Sequence, residues 1–179
     1  MELHIEGSNL KYLNALLTCA GKDDIRHYLN GVFFDHENHK IIASDGHRIA
    51  TIAMPTDQFF GSESVILPIN KPFKKSINKV IISKEGDLYK IETFTKKAAD
   101  KVELVSPIIG NYPDYKRLMN AYGGQWLDVP ALGVCYNWQF LADIQKQLDR
   151  IGFQIRFDKD HRCYFQYNNF EFLAMGVRF

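Results

Sequence analysis

Three cysteines in 179 residues, Cys19, Cys135 and Cys163, are too few and too scattered for a disulfide framework, and no C-x-x-C pair occurs. That spacing argues against a clustered zinc site or a thiol redox motif and leaves core packing as their expected role. No run approaches the ~20 apolar residues that span a bilayer, and the N-terminal residues do not read as a signal peptide. No membrane partner is therefore expected, and the cytoplasm is the expected compartment. Charge of one sign is also missing: 22 Lys and Arg against 21 Asp and Glu leave a net charge of +1. A partner as acidic as nucleic acid would have to be met by local positive charge.

What is present favours strands. Hydrophobic residues make up 46% of the chain, with 13 Phe and nine Tyr beside many Ile and Val. The length suits one large domain, or one domain and part of a second. The stretch 24–55 carries three apolar runs, Gly31-Val32-Phe33-Phe34, Ile41-Ile42-Ala43 and Ile49 to Met54. Before the third stands a polar knot, Ser44-Asp45-Gly46-His47-Arg48. Asp-Gly is a turn signal, but His47 and Arg48 are more than a turn requires.

Taken in order, 1–7 alternates as a strand. Ser8 or Asn9 can cap a helix over 9–20, whose Leu10, Leu13, Leu16 and Leu17 fall at helical spacing. Three strands follow. After a polar loop comes a strand at Val65-Ile66-Leu67, then a short basic helix over 71–77 with Pro72 near its start, then strands at 80–84, 88–95 and 101–106. A third run predicts a strand over 129–136 and a helix over 138–150 capped by Asn137. Trp138, Leu141, Ala142, Ile144 and Leu148 share one face of that helix, and strands at 153–157, 163–167 and 170–177 complete the run. Phe153, Ile155 and Phe157, alternating, read as core. The order strand, helix, three strands thus occurs three times. The expected class is α+β, with helices on one side of antiparallel sheets.

Catalysis finds little support. Asp45 and His47 stand one residue apart with no nucleophile spaced to join them, and His36 and His39 lack a third ligand of obvious geometry. Neither an enzyme nor a metal or cofactor is expected.

Three motifs resemble one family. Asp24-Ile25-Arg26-His27-Tyr28-Leu29-Asn30-Gly31 and Ala43-Ser44-Asp45-Gly46-His47-Arg48-Ile49-Ala50 are similar to segments of the middle domain of the bacterial sliding clamp, the β subunit of DNA polymerase III. Gly110-Asn111-Tyr112-Pro113-Asp114-Tyr115-Lys116-Arg117 resembles that domain's closing turn. Tyr136 to Asp143 and Phe172 to Phe179 resemble the second half of the last domain, with Gly176 where the family usually has Pro and Phe179 where it has Leu. The resemblance implies a sliding-clamp fold: a full domain over 1–119, a linker over 120–128 and a half-domain over 129–179.

It also implies a function without catalysis. The family binds partner peptides in a groove between its second and third domains. Carried over, that groove would hold Leu29, Ser44, Gly46, His47, Arg48, Ile49, Pro113, Arg117, Leu118, Leu173, Met175, Gly176, Val177 and Arg178. Ile49, Pro113, Leu118, Leu173 and Met175 would form a pocket for a Leu or Phe anchor, worth about 1.5–3 kcal/mol, with His47 and Arg48 as polar contacts at its rim. Lys11, Lys71, Lys74, Lys75, Lys146 and Arg150 would stand on helices facing duplex DNA, and Lys22, Arg26, His27 and Tyr28 would match a DNA-contacting loop. The expected partners are duplex DNA without sequence preference, a polymerase and other proteins with clamp-binding motifs, and a clamp loader. Three units leave an odd one unpaired, which predicts a homo-oligomer, a tetrameric ring first and a dimer next. Such a reduced clamp would suit a phage or mobile element. A clamp mimic that sequesters clamp-binding proteins without forming a ring is the alternative.

Overall fold

The computed structural model describes residues 2–58, 62–120, 134–149, 152–158 and 160–178. The linker expected at 120–128, the start of the third unit and Arg150 fall almost wholly outside them.

The first unit forms as its pattern dictates. Strand β1 (Glu2–Glu6) alternates exposed and buried residues, Leu3 and Ile5 pointing inward. Helix α1 (Gly7–Leu17) buries Leu10, Leu13, Leu16 and Leu17. It starts two residues earlier than expected, and neither Ser8 nor Asn9 caps it. Asn9 Oδ1 instead accepts from Asn169 Nδ2 at 3.1 Å, and Asn14 Oδ1 accepts the Phe73 N–H at 2.8 Å. Strands β2 (Val32–Asp35), β3 (Lys40–Ser44) and β4 (Arg48–Ala53) follow.

The second unit has strands β5 (Val65–Leu67), β6 (Ile77–Glu85), β7 (Leu88–Thr95) and β8 (Ala99–Val105) but no helix. Residues 71–76 are irregular. Pro68 and Pro72 withhold donors, and a basic stretch of about two turns is too short to nucleate alone. Lys71, Lys74 and Lys75 therefore lie on an exposed loop. A short helix appears elsewhere: α2 (Tyr115–Asn120) occupies what reads in sequence as a connector.

In the third unit, β9 (Val134–Cys135) precedes α3 (Gln139–Gln147), and Asn137 Oδ1 accepts the Gln139 N–H as the cap pattern predicts. Leu141, Ile144 and Leu148 are buried, but Trp138 and Ala142 are exposed, so the expected five-residue core stripe is narrower by two. Strands β10 (Arg156–Phe157), β11 (Arg162–Tyr167), β12 (Phe170–Met175) and β13 (Val177–Arg178) finish the unit. Phe153 and Ile155 pack against the core beside buried Phe157. Cys19 and Cys163 are buried as expected, whereas Cys135 is exposed.

The units are interlocked. First strands are exchanged, β1 pairing with β6 and β5 with β2, both antiparallel. The third unit joins the first edge to edge: β12 pairs antiparallel with β4, Leu173 opposite Ile49 and Phe172 opposite Ala50. One seven-stranded sheet, β10-β11-β12-β4-β3-β2-β5, and one four-stranded sheet, β1-β6-β7-β8, result. The odd unit thus has a sheet partner within its own chain. Both faces of the large sheet are covered, and its strands alternate accordingly. Ile41, Ala43, Ala50, Ile52, Phe170 and Phe172 face the main core with α1 and α3. Ile42, Ile49 and Leu173 face a second cluster closed by Tyr115 and Met119 of α2.

Candidate peptide groove and basic face

The polar knot is a closed turn before it is anything else. Asp45 Oδ1 accepts the N–H groups of His47 and Arg48, each at 3.0 Å, and Ser44 Oγ donates to Arg48 O at 2.8 Å while accepting from Gly46 N. Gly46 has φ +87°, a left-handed conformation that calls for glycine, and it lies under the Arg26 guanidinium. Asp45 is thereby committed to shaping the turn, which removes the sense of an acid–base pair with His47.

Arg48 departs most from its expected place. Instead of standing at a rim, it is turned inward with its side chain 10% exposed. Nε donates to Asp45 Oδ2 at 2.9 Å, Nη1 to Asp143 Oδ2 at 3.3 Å and Nη2 to Thr18 O at 2.6 Å, while the guanidinium lies 4.3 Å from the Phe140 ring centroid. One side chain thus ties the turn, the end of α1 and α3 together.

The tail meets this turn through the backbone. Met175 N donates to His47 O at 2.9 Å and Gly176 N donates to His161 O at 2.6 Å. Val177 then pairs with Cys135. Gly176, where the resemblance expects Pro, is needed here: a Cβ would come within 2.4 Å of Val134 Cγ1 and 2.8 Å of His161 O. The tail is held rather than loosened by the glycine.

Among the expected groove residues, Ile49 and Leu173 lie buried side by side, and Leu29 is buried in the 24–30 loop. Leu118 and Met175 remain 41% and 40% exposed, and Val177 is more open still. Pro113, Arg117, Gly46 and His47 are exposed, and Ser44 is buried in its turn bonds. Exposed Leu118 and Met175 thus stand beside a closed apolar cluster of Ile49, Leu173, Tyr115 and Met119.

Two supports of this surface gave little signal in sequence. Tyr115 Oη donates to Asp35 Oδ2 at 2.7 Å, pinning α2 to the end of β2. Burial disfavours the charged form of Asp35, but Tyr115 and Asn38 donate to it and hold its carboxyl below the usual value. A depressed folded value means the contribution is intact above about pH 4 and is lost as pH falls further. Tyr115→Phe is expected to cost about 1–2 kcal/mol by urea unfolding at pH 7, with a smaller difference from wild type near pH 3. The second support is Glu171, which accepts from Lys40 Nζ, Thr51 Oγ1 and Tyr164 Oη and so clasps the β4–β12 junction.

The expected basic residues are divided among three places, Lys71 and Lys74 lining a cavity beside β8 that holds none of the others. Lys11, Lys75 and Lys146 line one cavity of about 730 Å³ with Asn14 and Asp149, between α1, α3 and the 71–76 loop. Lys11 Nζ donates to Asp149 there at 2.6 Å. In the 24–30 loop, Arg26 makes a two-bond fork to Asp24, whose carboxyl is lowered to about 2 by that partner, and also donates to Asp45 O. Lys22 and His27 are exposed nearby and Tyr28 is half-buried. Among the described residues no group of three His, Cys, Asp or Glu is placed to hold a metal, and no helix is long and apolar enough to cross a membrane.

Helices layered on antiparallel sheets, strand exchange between repeated units and an edge-to-edge union of units define the DNA sliding-clamp fold, and the chain has it. Its likeness in sequence is to the bacterial β sliding clamp, in reduced form. It is 32% identical over 112 residues to the beta sliding clamp of Escherichia coli K12, covering 54% of this chain and 27% of that protein. The matched stretch thus spans about a quarter of the curated relative. A sliding clamp of Pseudomonas aeruginosa superposes with TM-score 0.65 at 18% identity, over 100% of this chain and 67% of that one. The Caulobacter crescentus beta sliding clamp, with PEG bound to a putative beta-motif tethering region, gives 0.68 at 15%, over 99% and 66%. No protein-family model matches the chain.

Proposed function

We propose that the chain is a miniature sliding clamp, a non-catalytic processivity factor that encircles duplex DNA as an oligomeric ring in the cytoplasm and takes partner peptides on the surface between residues 44–49 and 173–178. The observation that carries the peptide site is the bond from Met175 N to His47 O, which joins turn and tail over Ile49 and Leu173 and leaves Leu118 and Met175 open to a ligand. An apolar anchor side chain settling there would bury against Leu118 and Met175, above Ile49 and Leu173, which α2 already covers. Met adapts to either Leu or Phe. His47, exposed beside the tail, is the polar contact; Arg48 is already occupied.

A labelled peptide of the Gln-Leu-x-Leu-Phe type is expected to bind, and Met175→Asp to weaken it at least about tenfold by placing a charge in the apolar contact. Unchanged binding in Met175→Asp would remove the tail from the site. For DNA, the cavity bringing together Lys11, Lys75 and Lys146 supports a sequence-neutral, salt-dependent contact. Retention on closed circular DNA with loss from linear DNA is the test of encirclement.

The alternative, a clamp mimic without a ring, is favoured by one feature: the β4–β12 pairing completes the third unit's sheet inside a single chain. Light scattering separates the two readings, since a mass near 20.7 kDa at micromolar concentration fits only the mimic.

A further inference from the structure

Each unit closes its main sheet with a strand at a border or a junction, namely β4, β8 and β12; β13 beyond β12 pairs with β9 instead. Two of these pair with each other, antiparallel, inside the chain. Among the described residues the third, β8, bonds only to β7, and every residue of it except Val105 is exposed. The other outer strands are less available. Ile108 N donates to Ile66 O on the outer side of β5, the turn at 56–58 packs beside β1, and β10 has two residues. A seven-residue uncovered edge is a template for another strand.

We propose that β8 pairs with β8 of a second copy, antiparallel about a two-fold axis, repeating between chains the last-strand junction that β4 and β12 make within one. The proposal deepens the assembly part of the reading above and rests on it for the identity of the partner. Charge selects the register. A two-fold axis normal to the sheet sets residues of the same pleat face opposite one another. Centring on Lys101 opposes two lysines, and centring on Glu103 opposes two glutamates. Centring on Val102 opposes Lys101 to Glu103 twice, and Val102 to itself. The two charges already meet along the strand, Lys101 Nζ on Glu103 Oε1, so both side chains reach.

The pleat supports the same conclusion. Lys101 and Glu103 stand opposite Thr93 and Ile91, whose side chains are buried, so the charges point toward the inner face. Inward charges ordinarily repel an approaching strand. Here they alternate in sign and become complementary across the axis. On the other face Val102 and Leu104 are 55% and 56% exposed, which pairing would reduce.

The test is the molar mass of the full chain by light scattering or sedimentation at tens of micromolar. Wild type is expected at an even multiple of the chain mass. Lys101→Glu and Glu103→Lys, each setting like charges across the axis, are expected to weaken association at least about tenfold, and the double reversal to restore it. Circular dichroism establishes that the variants are folded, and peptide binding at the Met175 surface is expected to stay unchanged. A wild-type mass of one chain overturns this pairing together with the ring. An oligomer indifferent to the single reversals, or one not rescued by the double, overturns the β8 pairing while leaving a ring through other edges standing.

Discussion

Arg48→Ala is expected to lower stability by about 2–4 kcal/mol, a drop in Tm of roughly 6–12 °C. The guanidinium makes polar contacts in three directions at once, to Asp45, Asp143 and Thr18 O, and lies against Phe140. Truncation takes the cation from two carboxylates, Asp45, which keeps its backbone donors, and the more exposed Asp143, which keeps Gln139. The Asp143 partner sits on α3, in the third unit, and the Thr18 partner at the end of α1, so the loss falls on the union of those units. Arg48→Lys keeps the charge but not the fork, and is expected to recover less than half of the difference. Urea unfolding with a wild-type-like m-value is the measurement. A cost below about 0.5 kcal/mol would place the residue at a solvated rim after all.

Gly176→Pro, which restores the residue usual in the family, is expected to destabilise by about 2–4 kcal/mol rather than to stiffen the tail. Proline removes the N–H that donates to His161 O, and its ring must enter space where even a Cβ meets Val134 and His161 O. Gly176→Ala isolates the steric part and should cost about 1–3 kcal/mol. The Pro variant is also expected to release residues 177–178 from β9, readable as faster amide exchange at Val177. Peptide affinity should fall with it, because Met175 is positioned from both sides by backbone bonds.

Much of the fold is local pattern and was legible. Leu10 to Leu17 at helical spacing, Gly31 to Met54 in three runs and Phe170 to Met175 all formed the elements that their periodicity requires. Residues 71–77 read as a helix but form a loop, because Pro72 suits either and the Phe73 N–H is taken by Asn14, a partner from the first unit. The short α2 carried a signal that went unused: Tyr115 and Met119, four apart, are both buried, and Asp114 Oδ1 accepts the Arg117 N–H in the first turn. The union of β4 with β12 has no local signature, since edge pairing depends on which strands are left over. The resemblance brought the 44–49 turn and the tail to one site. It could not say that Arg48 points inward, because one sequence pattern serves a rim contact and a buried clasp equally well.

The β4–β12 pairing has a bearing on how the molecule comes to be folded. Thr51 and Glu171, joined across that seam, are separated by 120 residues. At a synthesis rate of ~5–20 residues per second, β4 emerges some ~6–24 s before the strand that covers it. During that interval Ile49, Ala50 and Ile52 border an open edge, in a nascent chain whose local hairpins have already formed. Folding of the large sheet is therefore gated by a late, long-range closure. The polar clasp at Glu171, with its three donors, sits where that closure completes.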